Sequence, residues 1–447
     1  MSTQRVTWLH ISDAHFGGPD MVGESQSVIA MLLQDLERLR DERGLAPNFL
    51  FFTGDIAFGE TSRSHLEDQY QAAEELLLRI EELFRIDKPN VFLVPGNHDV
   101  NRTRVTEADT NWLDSHLDGG ADATRPIDQL WSEPETVAYQ RYLERLENYA
   151  AFIQRAGLKH LLQNPRGLTY THRRDVNGID VAITGLNTAW SSCRDKEKGK
   201  LWLGQRQVRA SSAAAINADL AIALGHHPPG WFNEHEDPAW YQFLSSHYHF
   251  YLHGHEHNDW VVDQGAHVRV AAGCLYERNL ATTGYNFTRL GFKERTAEVF
   301  LRQYDAKGGG WVPRIVYRKT DDSGCWKLGF QPLRRKVRTL APPSEPPIST
   351  ETVPADSIPP PPAIDVYEHF ETGRAVRDED RFIGRRHELR TALGALRARG
   401  AAIAIFGEAG FGKTSLALEV ARIATGHDTK LCESSELRGC VPAAGFS

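Results

Sequence analysis

Residues Val91-Phe-Leu-Val94-Pro-Gly96-Asn97-His98-Asp99 decide how this sequence is read. The four apolar residues suit a short buried strand, which the proline and glycine end. An amide, an imidazole and a carboxylate then follow in a row. Toward the N-terminus the same pattern recurs. Asn48–Thr53 reads as a strand running into Gly54-Asp55, and Val6–Ile11 as a strand running into Asp13-Ala14-His15. Apolar residues at Ile29, Leu32, Leu33, Leu36 and Leu39 give Ser25–Arg43 a helical period, and His65–Phe84 reads as a second helix. This β-α-β-α-β rhythm predicts an α/β layered fold.

Toward the C-terminus, Glu133–Arg155 reads as helical, with strands at Asp180–Thr184, Leu220–Leu224 and His249–Leu252. From Trp260 to about Tyr317 the pattern is a series of strands with little helix. His226-His227 and Gly254-His255-Glu256-His257 each follow one of these strands. Ligands in open α/β sheets collect beyond the carboxyl ends of strands, so five motifs far apart in sequence can share one edge. Carboxylate, imidazole and amide oxygen together suit borderline divalent metals such as Mn, Fe, Zn or Co. A carboxylate has two oxygens and can bridge two cations, and two cations about 3.5–4 Å apart can clamp an in-line displacement at phosphorus. The glycines before Asp55, Asn97 and His255 permit tight turns that aim the side chains.

In type, spacing and order these motifs resemble the calcineurin-like metallophosphoesterases over roughly the first three hundred residues. The resemblance implies a four-layer α-β-β-α sandwich. It implies that Asp13, His15 and His257 hold one metal, that Asn97, His226 and His255 hold another, and that Asp55 bridges them. His98 would protonate or stabilise the leaving oxygen, and Asp99 would orient His98. The family pattern makes His226 the ligand of its pair and leaves His227 to support it or to face the substrate. The implied activity is hydrolysis of a phosphoric ester by a metal-bridging hydroxide. Cyclic nucleotides and nucleic acid are the leading substrates.

Other residues have plainer readings. Trp8, Phe49, Phe51 and Phe52 are expected in the core. Asn187 is a turn residue or reaches the substrate. Arg102 is a surface cation or a phosphate ligand. The stretch between Asp99 and His226 carries no decodable signature.

Positions 342–362 hold nine prolines, a composition that cannot build a packed core and reads as a linker. Beyond it, an apolar strand Ala401–Phe406 leads into Gly407-Glu-Ala-Gly-Phe-Gly412-Lys413-Thr414. That is a P-loop pattern in the right context, with Lys413 for the terminal phosphates of ATP and Thr414 for Mg. With the preceding Phe382-Ile-Gly-Arg-Arg-x-Glu-Leu389 it resembles the entry to STAND-type switch ATPases of the NACHT and NB-ARC kind. The expected domains are therefore 1–335, a linker over 336–365, and the first part of a P-loop NTPase over 366–447. Only 33 residues follow Thr414, so a truncated NTPase is expected. The competing functional reading makes the esterase the effector or scaffold of a nucleotide-regulated signalling or defence switch, with self-association through the NTPase part.

Composition narrows the rest. Of 447 residues, 41% are hydrophobic and 25% charged, as in soluble multidomain proteins. The net charge of -8 gives no bulk attraction to nucleic acid or anionic lipid, although it leaves room for a local basic groove. Five cysteines without a close CxxC pair argue against a disulfide framework and fit a reducing cytoplasm. Neither a leader nor a membrane span is expected.

Overall fold

Strand β1 (Arg5–Ile11) is buried from Val6 onward, and β2 (Phe49–Thr53) is buried at every position. A run buried on both faces belongs inside a layered sheet, which is why these strands are continuously apolar rather than alternating. The computed structural model describes residues 4–330, apart from 19–23, 118–122, 135, 165–166, 216 and 277–281. The expected linker and the P-loop residues Gly407, Gly412, Lys413 and Thr414 lie outside the described residues.

Two sheets form an α/β sandwich. The first has the order β12 (Gly310–Pro313), β11 (Thr296–Asp305), β10 (Gly284–Gly291), β1, β2, β3 (Val91–Val94), with β13 (Cys325–Gly329) also paired to β11. The second has the order β4 (Tyr170–Val176), β5 (Ile179–Gly185), β6 (Leu220–Leu224), β7 (Phe250–His253), β9 (Val268–Ala271), β8 (Trp260–Asp263). Pairing is parallel among β1, β2 and β3 and from β5 through β6 to β7 and β9. The inner faces meet through Trp8 of β1, whose ring centroid lies 5.1 Å from that of Phe250 on β7. Tyr170 on β4 donates its hydroxyl to the carbonyl of Leu93 on β3 at 2.9 Å. Trp8, Phe49, Phe51 and Phe52 are all fully buried, as expected.

Helix α1 (Glu24–Arg43) packs on β12 and on α2 (Leu66–Phe84), while α7 (Gln205–Ala215) packs on β4 and β5. One carboxylate fixes α1 to the first sheet. Arg302 on β11 donates to both oxygens of Asp35 at 2.8 and 2.6 Å, and Tyr285 on β10 donates to the same carboxylate. All three are buried, so the ion pair is also a fully hydrogen-bonded one.

The expected helical region Glu133–Arg155 is two helices, α5 (Val137–Glu144) and α6 (Glu147–Arg155). The break at Arg145 has a tertiary cause. Its carbonyl accepts the Asn101 N–H at 2.8 Å, just past the Gly96–Asp99 motif, and its buried guanidinium lies 2.9 Å from Asp109. The undecoded stretch supplies a satellite core. Leu113 of α3 (Glu107–Ser115) and Ile127 and Trp131 of α4 (Thr124–Ser132) pack with Tyr139, Trp190 and Trp202.

Candidate metal centre

Strand ends set the site. Thr53 pairs with Val94 and Leu224 with Leu252, so the carboxyl ends of β2 and β3, and of β6 and β7, are level within their sheets. The loops beyond them are stitched together by backbone bonds. Asp13 N–H donates to Gly54, His15 N–H to Asp55, and Gly254 N–H to His226. Across the sandwich, His226 Nδ1 donates to the Thr53 carbonyl at 2.8 Å, and His255 N–H donates to Asp13 at 3.1 Å.

Backbone strain concentrates here. Among the described residues, eleven other than glycine have positive φ, and five of them are Asp13, His15, Asp55, His255 and His257. Left-handed backbone at a side chain with a Cβ is costly, and it persists where the surroundings impose it, characteristically at functional sites. The glycines act mainly by leaving space. A Cβ on Gly96 would meet Asp55, and one on Gly254 would meet Ser12 and Asp13. Only Gly54 also needs its positive φ, of 88°.

The side chains converge in two overlapping sets. His226 Nε2 lies 3.1 Å from Asp55 Oδ2, from Asn97 Oδ1 and from His255 Nδ1. On the other side, His15 Nε2 lies 3.5 Å from the same Asp55 Oδ2, and His257 Nε2 lies 3.3 Å from Asp13 Oδ1. For metal–ligand bonds of roughly 2.0–2.2 Å, neighbouring donor atoms stand roughly 3.0–3.5 Å apart. Buried His15 Nε2 and His255 Nε2 have no hydrogen-bond partner among the described residues. Donor type, spacing and orphaned imidazole nitrogens all fit divalent cations.

The protonation states agree. Burial pushes the Asp55 and Asp13 carboxyls up, but the facing histidines outweigh it and hold both below the usual range. Burial, and then the charge of His226, pull His255 down to about 3. Burial also lowers His226, yet Asp55 and Asp13 together raise it to about 9, so the carboxylates make this a place that favours positive charge.

His98 stands beside this cluster, its ring 4.8 Å from that of His15. Its N–H donates to Asp55 Oδ1 at 2.8 Å, and its Nδ1 donates to the Phe58 carbonyl at 2.6 Å. A carbonyl only accepts, so Nδ1 carries hydrogen and Nε2 is left for chemistry. Asp99 sits elsewhere than expected. Its buried carboxylate accepts from Ile56, Ala57 and Gly96 N–H and from the Tyr70 hydroxyl, bracing the two loops rather than His98. Burial, and then the charge of Asp55, raise its pKa to about 6.

His227 is fully buried, with Nδ1 3.2 Å from Thr188 Oγ1 and no partner for Nε2 among the described residues. Burial, with His255 and His226 beside it, keeps it well below the usual histidine range and hence neutral. Asn187 is a turn residue, its side chain bonded to Gly167 and Ala189. Arg102 faces Asp195 and Glu197 at 3.6 and 3.7 Å. Sequence reasoning missed Trp231, whose ring lies 3.9 Å from that of His255, because a lone tryptophan in a loop carries no periodic signal.

The model of the calcineurin-like phosphoesterase family matches residues 6–259, more than half of the chain and all five of the strand-end motifs. The chain belongs to the calcineurin-like phosphoesterase family. The described domain of this family member is that of a metal-dependent phosphoric ester hydrolase. A curated relative, the uncharacterized metallophosphoesterase-like protein YydB of Bacillus subtilis (strain 168), is 27% identical over 265 residues. That alignment takes in 57% of this chain and 49% of YydB, so the phosphoesterase spans about half the length of the curated relative it matches. Among solved structures, GAP50, the anchor in the inner membrane complex of Plasmodium, aligns at TM-score 0.38 and 13% identity, covering 73% of this chain and 89% of that one. Vps29 of Entamoeba histolytica, complexed with zinc, aligns at TM-score 0.30 and 11% identity, covering 73% and 100%. No helix among the described residues is long and apolar enough to cross a membrane.

Proposed function

We propose that this phosphoesterase is a phosphodiesterase acting on nucleotide esters, either cyclic nucleotides or nucleic acid, in the cytoplasm. One observation carries the two-ion reading. Asp55 Oδ2 faces His15 Nε2 at 3.5 Å and His226 Nε2 at 3.1 Å, so one carboxylate serves two donor sets. In this reading Asp13, His15 and His257 would hold one divalent ion, Asn97, His226 and His255 would hold the second, and Asp55 would serve both. Manganese, iron and zinc all suit these donors.

Bound there, two cations lower the pKa of an attacking water and neutralise charge on the phosphoryl oxygens. The remaining work falls to the chain. Asp55 fixes His98 through the backbone N–H, and Phe58 fixes its tautomer. With both ring nitrogens protonated, His98 gives its Nε2 proton to the departing oxygen as the ester bond breaks and is left as the Nδ1–H tautomer that Phe58 holds. Neutral, buried His227 and the ring of Trp231 flank His255, limit its rotation and keep water from it.

The test compares bis-(p-nitrophenyl) phosphate with p-nitrophenyl phosphate, in manganese and in chelator. Manganese-dependent cleavage favouring the diester supports the reading, and preference for the monoester sinks it. The switch reading rests on Gly407–Thr414, outside the described residues.

A further inference from the structure

A second concave surface lies apart from the metal centre, where the exposed edge strand of one sheet meets the other sheet. It is a groove of about 490 Å³ between β8 and β13, with Trp260 on one wall, Trp326 on the other, and Arg318, Lys319 and Lys327 around them. Trp260 is 42% exposed, an unusual state for a tryptophan at the start of a strand, and nearby Tyr317 is 80% exposed. The aromatics and cations interleave. The Trp260 and Trp326 rings meet edge to face at 5.3 Å, Lys319 Nζ lies 5.2 Å from the Trp326 ring, and Arg318 lies 5.0 Å from the Tyr317 ring. Arg318 and Lys319 form no ion pair among the described residues, whereas Lys327 faces Glu298 at 3.9 Å. Asp263 is the single acidic group of the lining, so three cations outnumber it in a chain of net charge -8.

One wall of the groove starts close to the metal centre along the chain. Trp260 is three residues beyond His257, so its backbone lies within about 11 Å of that donor's. Arg314 ties the connecting residues down, reaching Asn258 at 3.2 Å and buried Asp259 at 2.5 Å. A strand of nucleic acid rising roughly 3.4 Å per nucleotide covers such a distance in about three nucleotides.

We infer that this groove binds single-stranded nucleic acid and leads it to the metal centre, so that the ester cleaved is an internucleotide phosphodiester. The exposed ring of Trp260, backed by buried Trp326 and with Tyr317 nearby, supplies a stacking face that any base can use, and Arg318 and Lys319 follow the phosphates. A cyclic nucleotide has no second phosphate to reach this groove. The inference rests on the phosphodiesterase reading for its chemistry but not for its binding.

The experiment uses the full chain in two arms. In chelator, anisotropy of a fluorescein-labelled oligo-dT of about twenty nucleotides is titrated across salt, with Trp260→Ala, Trp260→Phe and the pair Lys319→Glu with Lys327→Glu. In manganese, kcat/KM for the oligonucleotide is divided by that for bis-(p-nitrophenyl) phosphate. The expected result is a tenfold or greater loss of binding in Trp260→Ala and in the charge-reversed pair. Trp260→Phe restores most of the loss, the pair shows a shallower salt slope, and the activity ratio falls in parallel. Equal binding and an equal ratio in all variants overturn the inference. So does a groove that ignores the oligonucleotide and takes an acidic proline-rich peptide. If wild type binds as expected but cleaves no diester in manganese, the phosphodiesterase reading fails and the binding groove stands.

Discussion

His98 donates its backbone N–H to Oδ1 of Asp55 at 2.8 Å, so the proposed general acid and the proposed bridging carboxylate form one mechanical unit. The other oxygen of that carboxylate faces both histidine sets. Metal placement and proton delivery are therefore fixed relative to each other by a single residue. The two roles are separable by experiment.

Replacing His98 by alanine is expected to leave metal content intact and to lower kcat by about 10²–10⁴ on a diester with a poorly acidic alcohol leaving group. With p-nitrophenolate, which leaves without a proton, the loss should be several-fold at most. Asp55→Ala is expected to lose both activity and metal, whatever the leaving group. Steady-state rates with the two classes of ester, paired with elemental analysis of the purified variants, decide it. Equal losses on both leaving groups in His98→Ala would remove the acid role.

Gly96→Ala tests whether the glycines of the motifs are there for space. The added methyl would collide with the Asp55 side chain and backbone, and φ at this glycine is not positive. The variant should fold with a melting temperature within a few degrees of wild type, yet bind manganese at least tenfold more weakly. Calorimetric titration with manganese and a thermal melt give the two readings. Unimpaired metal binding would show that the loop gives way.

Much of this was legible from sequence, for identifiable reasons. Strands β1, β2, β3, β5, β6 and β7 and helices α1 and α2 announce themselves because burial on one or both faces imposes a regular pattern, whereas β4 and β13 do not. The donor residues are visible because each follows a strand end. What stayed hidden is what tertiary contact alone decides. The break at Arg145 exists because a backbone carbonyl from elsewhere is satisfied there. Asp99 looks like a partner of its neighbour His98, but a strand end that turns sharply throws adjacent side chains to opposite sides. Asp35 on α1 carries no signal of its own in the sequence, and only the fold supplies Arg302 and Tyr285 to meet it.

That buried cluster yields a stability prediction. Asp35→Ala would strand the Arg302 guanidinium, which is 2% exposed, without its counter-charge. Removing one partner of a buried ion pair costs about 3–5 kcal/mol. Urea unfolding should give a loss of that size. Since Asp35 is what joins α1 to Arg302 on β11 and Tyr285 on β10, the variant should loosen the packing of that helix on the sheet. A change below about 1 kcal/mol, the scale of exposed pairs, would mean the cluster is solvated in solution.

Glu236, away from the metal centre, predicts a pH dependence. Its buried carboxyl accepts Leu203 and Gly204 N–H at 2.6 and 3.0 Å, fastening the chain before α7 to the start of α8 (Asp237–His247). Burial raises its pKa from 4.5 to about 7, the two amide bonds offsetting only part of the effect. A carboxyl raised in the folded state binds its proton more tightly there than in the unfolded chain. Its contribution to stability is therefore complete below pH 4.5 and is lost as pH rises through about 7. The difference between those limits amounts to about 3 kcal/mol. Glu236→Gln cannot titrate, and its amide leaves one of the two N–H groups unmatched, so it should differ from wild type by an offset that shrinks steadily across this window. Unfolding free energies of both proteins from pH 4.5 to 8 measure the difference directly, cancelling every other titrating group. An offset that stays constant with pH would place the carboxyl in water and end this account of the link between α7 and α8.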